Sequence, residues 1–152
     1  MTGTIVRKEK DPDRYSISQL GGWSWTQPIP NEHDSGVVRR FHALHRIPIG
    51  QLSAADLRFL VGQNECLLHL VPKALALLET DPWMETEFYP GDLLSALLRI
   101  NHPAGYWSVD NPYLPGFAEL AQKALAIAPT GVARKDLRLL EEISHLGGQH
   151  DF

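Results

Sequence analysis

Residues 87–98, with the sequence EFYPGDLLSALL, decide the fold class of this chain. Pro90 suits the first position of a helix, because proline lacks the backbone N–H that would be unpaired there. Asp92 follows two residues later and places a carboxylate near the positive end of the helix dipole. The apolar residues recur at helical spacing over a wide face, at Leu93, Leu94, Leu97, Leu98 and Ile100. The stretch therefore predicts a helix that is buried in the protein core.

The neighbouring segments also show helical patterns. Ser53 and Asp56 have the spacing of a capping box at a helix start, and Leu52 and Leu57 flank it as a hydrophobic staple. Pro72 lies inside a leucine-rich segment, so we expect either one kinked helix or two helices there, and we favour the kink. No period-2 alternation is long enough for a strand. The sequence predicts an all-α fold, a single compact domain of about six or seven helices.

Two further helices are predicted from their start and stop signals. One would end at about His45 and turn an apolar line inward, formed by Val37, Phe41 and Leu44. The last helix would begin near Thr130 and stop at Gly147 and Gly148, because glycine commonly ends helices.

The ends of the predicted domain follow from composition. Residues 1–14 mix four bases and three acids with few apolar residues, which indicates a loosely ordered N-terminal arm. Residues 15–152 would form the helical domain. Trp23 and Trp25 lie in a proline-rich stretch near its start, where they either cover the core or form an exposed contact patch.

Composition is typical of a folded soluble protein. Of the 152 residues, 43% are hydrophobic and 21% are charged. The N-terminal residues contain no apolar signal segment, and no run of 18 apolar residues occurs. The single cysteine, Cys66, cannot form an internal disulfide, so no oxidising compartment is required. We expect a cytoplasmic protein that does not enter a membrane.

Residues 79–119 are strongly acidic. This segment has seven acids and one base, Arg99, which gives a net charge of −6. The acids are Glu79, Asp81, Glu85, Glu87, Asp92, Asp110 and Glu119. Such a segment repels nucleic acid and favours a basic partner. The alternative is that the acids lie on solvated loops and serve solubility.

The sequence predicts no catalytic, metal or cofactor site. His42 and His45 are three residues apart, as are Cys66 and His69, but no HExxH, CxxC or matching carboxylate accompanies them. Cys66 lacks an adjacent base that would activate its thiol. Glycine-rich nucleotide loops are absent from the sequence. We expect a protein that is not an enzyme, and a small hydrolase with a metal bound by His42, His45 or His69 is the alternative.

Several short motifs occur together between residues 56 and 94. They are DLR at 56–58, VGQ at 61–63, Leu70 with Pro72, and FYPGDLL at 88–94. This combination resembles the CdiI family of immunity proteins from contact-dependent growth inhibition systems, over roughly residues 16–107. The chain departs from the family pattern at Thr86 and Glu87, where Gly and Asp are usual, and at residues 64–66, which are less apolar.

The resemblance implies a non-enzymatic inhibitor that takes part in bacterial competition. It would bind and neutralise the C-terminal toxin domain of a cognate CdiA effector in the cytoplasm, and the acidic segment suits a basic toxin such as a nuclease. The alternative is a helical protein–protein adaptor or regulator that is not linked to a toxin.

We assign different roles to the shared motif and to the residues before it. The motif residues should be structural, with Arg58 paired to Asp92 or Asp56, and they are Asp56, Arg58, Gln63, Tyr89, Pro90, Gly91 and Asp92. The toxin contacts should lie at Asp81, Trp83, Glu85 and Glu87. Trp83 is the predicted aromatic anchor, since aromatic residues dominate many protein interfaces.

Overall fold

The computed structural model describes residues 11–21, 33, 35–101 and 103–148. Seven α-helices lie within these residues: α1 (Ile17–Leu20), α2 (Gly36–Leu44), α3 (Ala54–Gly62), α4 (Leu67–Thr80), α5 (Asp92–Leu98), α6 (Leu114–Ala126) and α7 (Arg134–Gly148). Two 3-10 turns span Pro12–Arg14 and Ile49–Gln51. The only β-type pairings in the described part of the chain are two isolated bridges, between Ser16 and Pro48 and between Glu85 and Pro90. The predicted all-α fold with six or seven helices is confirmed.

Contacts between Cα atoms divide the chain into two compact units, Met1–Asp56 and Leu57–Phe152. Most of the predicted arm, residues 1–10, lies outside the described residues, as do Trp23 and Trp25. The predicted boundary between arm and domain therefore stays a prediction. None of the described helices is both long enough and apolar enough to span a bilayer.

In the first unit, side-chain caps begin the helices, and the cap formed by Ser53 and Asp56 is the one that the sequence predicts. The Ser16 hydroxyl accepts a hydrogen bond from the Gln19 backbone N–H, and the Gln19 side chain accepts one from the Ser16 N–H. Ser53 and Asp56 make the same reciprocal pair in front of α3, at 3.0 and 3.1 Å. Each pair satisfies two N–H groups that the helix itself leaves unbonded.

The buried side of α2 differs from the prediction. Val37 is 55% exposed, whereas His42, Leu44 and His45 are buried. Burial of His45 is tolerated because its Nδ1 lies 2.7 Å from the carbonyl oxygen of Phe41, and the two rings pack with their centroids 4.3 Å apart. The inward placement of Val37 was wrong because imidazoles occupy the buried side of this helix.

The second unit has α5 as its most buried helix. Six of its seven residues are buried, and the remaining one, Ala96, is half-buried. The helix within residues 87–98 is thus a core helix, as predicted. α4 is one helix that continues across Pro72, so the interpretation as two helices is excluded.

Helices α6 and α7 pack closely against each other in the second unit. α7 ends at Gly148, in agreement with the predicted stop at Gly147 and Gly148, and Gly147 is buried. A Cβ atom added at Gly147 would overlap the Cβ of Ala118 on α6. Glycine is needed here because the two helix backbones approach too closely for a side chain. α7 begins at Arg134 and not near Thr130, so its predicted start was wrong.

Candidate functional site

The acidic loop, residues 81–91, connects α4 to α5 and contains all four predicted toxin contacts. Its backbone doubles back on itself: the Gly91 N–H donates to the Met84 carbonyl oxygen at 3.1 Å, and Glu85 and Pro90 form an antiparallel bridge. Backbone contacts within the loop therefore define its conformation.

Asp92 holds the tip of the acidic loop through its carboxylate. The backbone N–H groups of Thr86, Glu87 and Phe88 donate to it at 2.9, 3.0 and 2.9 Å, and the Thr86 hydroxyl donates at 2.8 Å. Asp92 is only 3% exposed. Its burial raises the pKa, but the hydrogen bonds outweigh burial and lower the pKa of Asp92 below its ordinary value. A charged Asp92 is thus the anchor for three consecutive residues of the loop.

This arrangement corrects the predicted start of α5. The helix begins at Asp92 and not at Pro90, which is held in the bridge with Glu85. Gly91 precedes the helix with a φ of +87°, a conformation that strains residues with a side chain. The chain turns sharply at Gly91, and this turn directs the Asp92 carboxylate back to the loop.

Arg58 contacts the acidic loop from α3. Its guanidinium lies 3.2 Å from the Glu87 carboxylate and 4.6 Å from the centroid of the Phe88 ring. The predicted pairing of Arg58 with Asp92 or Asp56 was wrong. The Asp92 carboxylate is occupied by loop N–H groups, and Asp56 accepts from the Ser53 N–H and pairs with Arg40 at 3.5 Å.

Trp83 attaches the acidic loop to α6. Its indole N–H donates to the Ala124 carbonyl oxygen at 3.0 Å, and its side chain is half-buried. Its ring lies against Gly91, where an added Cβ would come within 2.7 Å of the ring Cε3 atom. Asp81 accepts a hydrogen bond from the Trp83 backbone N–H at 3.2 Å. The predicted aromatic anchor therefore makes internal contacts that stabilise the loop.

The exposed surface of the acidic loop combines charge with aromatic rings. Asp81, Glu85 and Glu87 are exposed. Phe88 is 64% exposed and Tyr89 is 47% exposed. The sequence predicts a structural role for Tyr89 and no contact role for Phe88. The signal that could have identified both is an adjacent aromatic pair among turn-forming residues.

The other motif residues differ in their placement. Asp56 caps α3, and Gly91 and Asp92 shape the acidic loop. Gln63 lies at the end of α3 with an exposed side chain. The shared motif thus contains both internal anchoring groups and exposed side chains.

A polar network that the sequence did not indicate connects α5 to α7. The Ser95 hydroxyl donates to the Asp136 carboxylate at 3.3 Å. Arg99 donates to the Ser95 hydroxyl and to the same carboxylate, both at 3.0 Å. Ser95 and Asp136 are buried, so these hydrogen bonds satisfy groups that water cannot reach.

The histidine and cysteine candidates do not assemble into a reactive site within the described residues. No group of three or more His, Cys, Asp or Glu side chains there is arranged to hold a metal ion. Burial and the adjacent Glu65 carboxylate raise the pKa of the Cys66 thiol to about 11. The protonated thiol is a poor nucleophile, so Cys66 is unsuited to covalent catalysis near neutral pH.

Comparison with known proteins identifies the family. Searches of curated proteins and of solved structures give no match. The family model described as CDI immunity proteins matches residues 20–111, which is more than half of the chain and includes the acidic loop and α5. The motifs at 56–63 and 88–94 fall within this range. This chain therefore belongs to the family of CDI immunity proteins.

Proposed function

We propose that this chain is an immunity protein that binds and neutralises the C-terminal toxin domain of a cognate contact-dependent growth inhibition effector, a CdiA protein. It acts in the cytoplasm and inhibits by binding, without chemistry of its own. The observation that carries this proposal is the family match over residues 20–111.

The distribution of charge supports a basic partner. Besides Glu87, five acids of the segment 79–119 are exposed, namely Glu79, Asp81, Glu85, Asp110 and Glu119. Asp92 is the exception, because its carboxylate is buried and holds the acidic loop. Complementary charge accelerates association and disfavours wrong partners. A nuclease fits this surface, since an enzyme that binds nucleic acid needs positive charge around its active site.

The toxin contacts in this proposal are Asp81, Trp83, Glu85 and Glu87. Glu85 offers the most direct contact, because its side chain is exposed and its backbone is held by the bridge to Pro90. Glu87 also pairs with Arg58, so a toxin must compete for it or bind the pair together. Trp83 contributes the part of its ring that Gly91 and α6 leave uncovered.

The test uses the full chain and the C-terminal toxin domain of its candidate cognate CdiA effector. Association and dissociation rates are measured at several salt concentrations for the natural chain and for a variant with alanine at all four contact positions. We expect the variant to bind more slowly and with a weaker salt dependence. Glu141→Ala with Glu142→Ala is the matched control, because these two acids are exposed on α7 outside the acidic segment.

Two results would contradict the proposal in different ways. If the natural chain does not bind the toxin domain or block its activity, the proposed function is wrong. If binding is tight but the four alanines leave affinity and salt dependence unchanged, the function stands and the proposed contacts are wrong. An assay of RNA and DNA cleavage by the toxin domain, with and without an equimolar amount of this chain, tests the nuclease assignment.

A further inference from the structure

Phe88 and Tyr89 form an exposed aromatic pair at the tip of the acidic loop. Together they present a large apolar surface to water, with 64% of Phe88 and 47% of Tyr89 exposed. Large aromatic rings bury readily when a core is within reach. Here the backbone is held outside the core at both ends of the pair, by the hydrogen bond from Phe88 to Asp92 and by the bridge at Pro90. The backbone conformation of the loop therefore keeps both rings exposed.

Phe88 of this aromatic pair is also held in position before any partner arrives. The Phe88 N–H is bonded to the buried Asp92 carboxylate at 2.9 Å, and the Arg58 guanidinium lies over the Phe88 ring. Arg58 is itself fixed by its ion pair with Glu87. Groups that are already ordered lose little conformational entropy on binding, so such rings can contribute strongly to affinity.

The surroundings of the aromatic pair indicate the chemistry of its partner. Asp81 and Glu85 lie exposed on the same loop, which makes its surface negative. A groove of about 500 Å³ runs beside the two rings and gives room for a partner's side chains. Its lining includes Asn64, Asn101, Arg58 and Arg99, and the two arginines are paired with Glu87 and Asp136. Two copies of this loop would repel each other, so charge disfavours a second copy of the chain as the occupant. A basic surface with an apolar pocket is complementary.

We propose that Phe88 and Tyr89 are the aromatic anchors of the toxin-binding surface, and that they enter an apolar pocket on the toxin that is bordered by basic residues. This inference rests on the proposed function and makes it more specific. It moves the anchor from Trp83, which is committed to internal contacts, to the two rings at the tip of the loop. Interface anchors of this kind are typically aromatic, central and surrounded by polar residues.

The experiment measures the affinity of the cognate CdiA toxin domain for Phe88→Ala, Tyr89→Ala and Leu68→Ala variants of the full chain. Leu68 is the matched control, because it is 72% exposed on α4 and lies outside the acidic loop. We expect Phe88→Ala and Tyr89→Ala each to weaken binding roughly tenfold or more, mainly through faster dissociation. Leu68→Ala should stay within roughly twofold, and Phe88→Leu should recover part of the loss because it restores apolar area.

Thermal unfolding of every variant separates loss of contact from loss of fold. Phe88 is 64% exposed and Tyr89 is 47% exposed, so their variants should unfold at nearly the natural temperature. If the natural chain binds the toxin and both alanine variants bind equally well, the inference is wrong while the proposed function stands. The inference is also wrong if Leu68→Ala causes an equal loss, or if the chain forms a dimer that Phe88→Ala dissociates. If the natural chain does not bind the toxin, both proposals are wrong.

Discussion

The Asp92 carboxylate accepts a hydrogen bond from the Phe88 backbone N–H at 2.9 Å, and this contact links the first residue of a core helix to the exposed tip of a loop. Asp92 is buried, whereas Phe88 is exposed. The stability of the core helix and the conformation of the candidate binding surface therefore depend on the same side chain.

Asp92→Asn should destabilise the protein at pH 7 by about 2 kcal/mol, because an amide cannot replace a carboxylate that accepts four hydrogen bonds. Urea unfolding measures this difference. Glu85→Gln is the control, since Glu85 is exposed and its change should stay within about 0.5 kcal/mol.

The effect of Asp92 should also depend on pH. The folded protein lowers the pKa of Asp92 below its ordinary value of 3.8, so its stabilising contribution is complete above that value. The contribution is lost as the pH falls through the lower pKa of the folded state. The stability difference between the natural chain and Asp92→Asn should therefore shrink below pH 3.8. An unchanged difference in that range would show that charge at Asp92 is not what holds the loop.

Gly91→Ala should destabilise the second unit more than Gly105→Ala. Both glycines have a positive φ, +87° and +74°, which costs a residue with a side chain about 1 kcal/mol. Only at Gly91 would the new methyl group also meet the Trp83 ring, which adds about 1–3 kcal/mol. Chemical unfolding of the two variants gives the comparison, and equal losses would mean that the Trp83 ring moves aside freely.

Gly147→Ala should lower stability by about 1–3 kcal/mol, because the new methyl group overlaps Ala118 where α6 and α7 meet. Adding Ala118→Gly should restore part of this loss by making room, despite the low helix propensity of glycine. Gly116→Ala on α6 is the matched control, because apart from its chain neighbours and the nearby backbone of α6 no described atom lies within 4 Å of a Cβ there. That control should be neutral or slightly stabilising. A double variant no more stable than Gly147→Ala would refute this account of the packing.

Cys66 should react slowly with iodoacetamide until the solution becomes strongly alkaline. Burial and Glu65 raise the pKa of its thiol from an ordinary 9.0 to about 11, and only the thiolate reacts. Mass spectrometry of the alkylated protein at successive pH values measures the midpoint. The urea-unfolded chain is an internal control, because its single cysteine should react with an ordinary midpoint. A midpoint near 9 in the folded protein would contradict the predicted protection.

Local sequence signals predicted the helices well, because their causes are local. The reciprocal Ser53–Asp56 cap needs only a spacing of three residues, and the burial of α5 follows from its apolar repeat. The prediction that a helix spans Pro72 also held. The inward face of α2 failed, because a histidine can replace an apolar residue once a backbone carbonyl satisfies its ring nitrogen.

The candidate site was only partly predictable. The charge of the acidic loop identified it in the sequence, but the sequence did not show how the loop is anchored. In the sequence, Asp92 has the features of a helix-start residue. Only the folded loop brings three N–H groups to its carboxylate. Trp83 was predicted to anchor a partner because nothing in the sequence indicates that Ala124, 41 residues away, accepts its indole N–H.

By itself, the sequence determined the all-α class, the approximate positions of most helices and the family, because caps, apolar repeats and motifs are encoded by residues close together in the chain. Only the tertiary structure decided that Arg58 meets Glu87, 29 residues away, and that Ser95 meets Asp136, 41 residues away. The sequence alone does not distinguish between several carboxylates that could pair with Arg58. Which one pairs with it depends on which groups the packed helices bring together and which carboxylates are already bonded. The sequence likewise contains an adjacent aromatic pair at residues 88 and 89, but only the fold showed that this pair faces solvent.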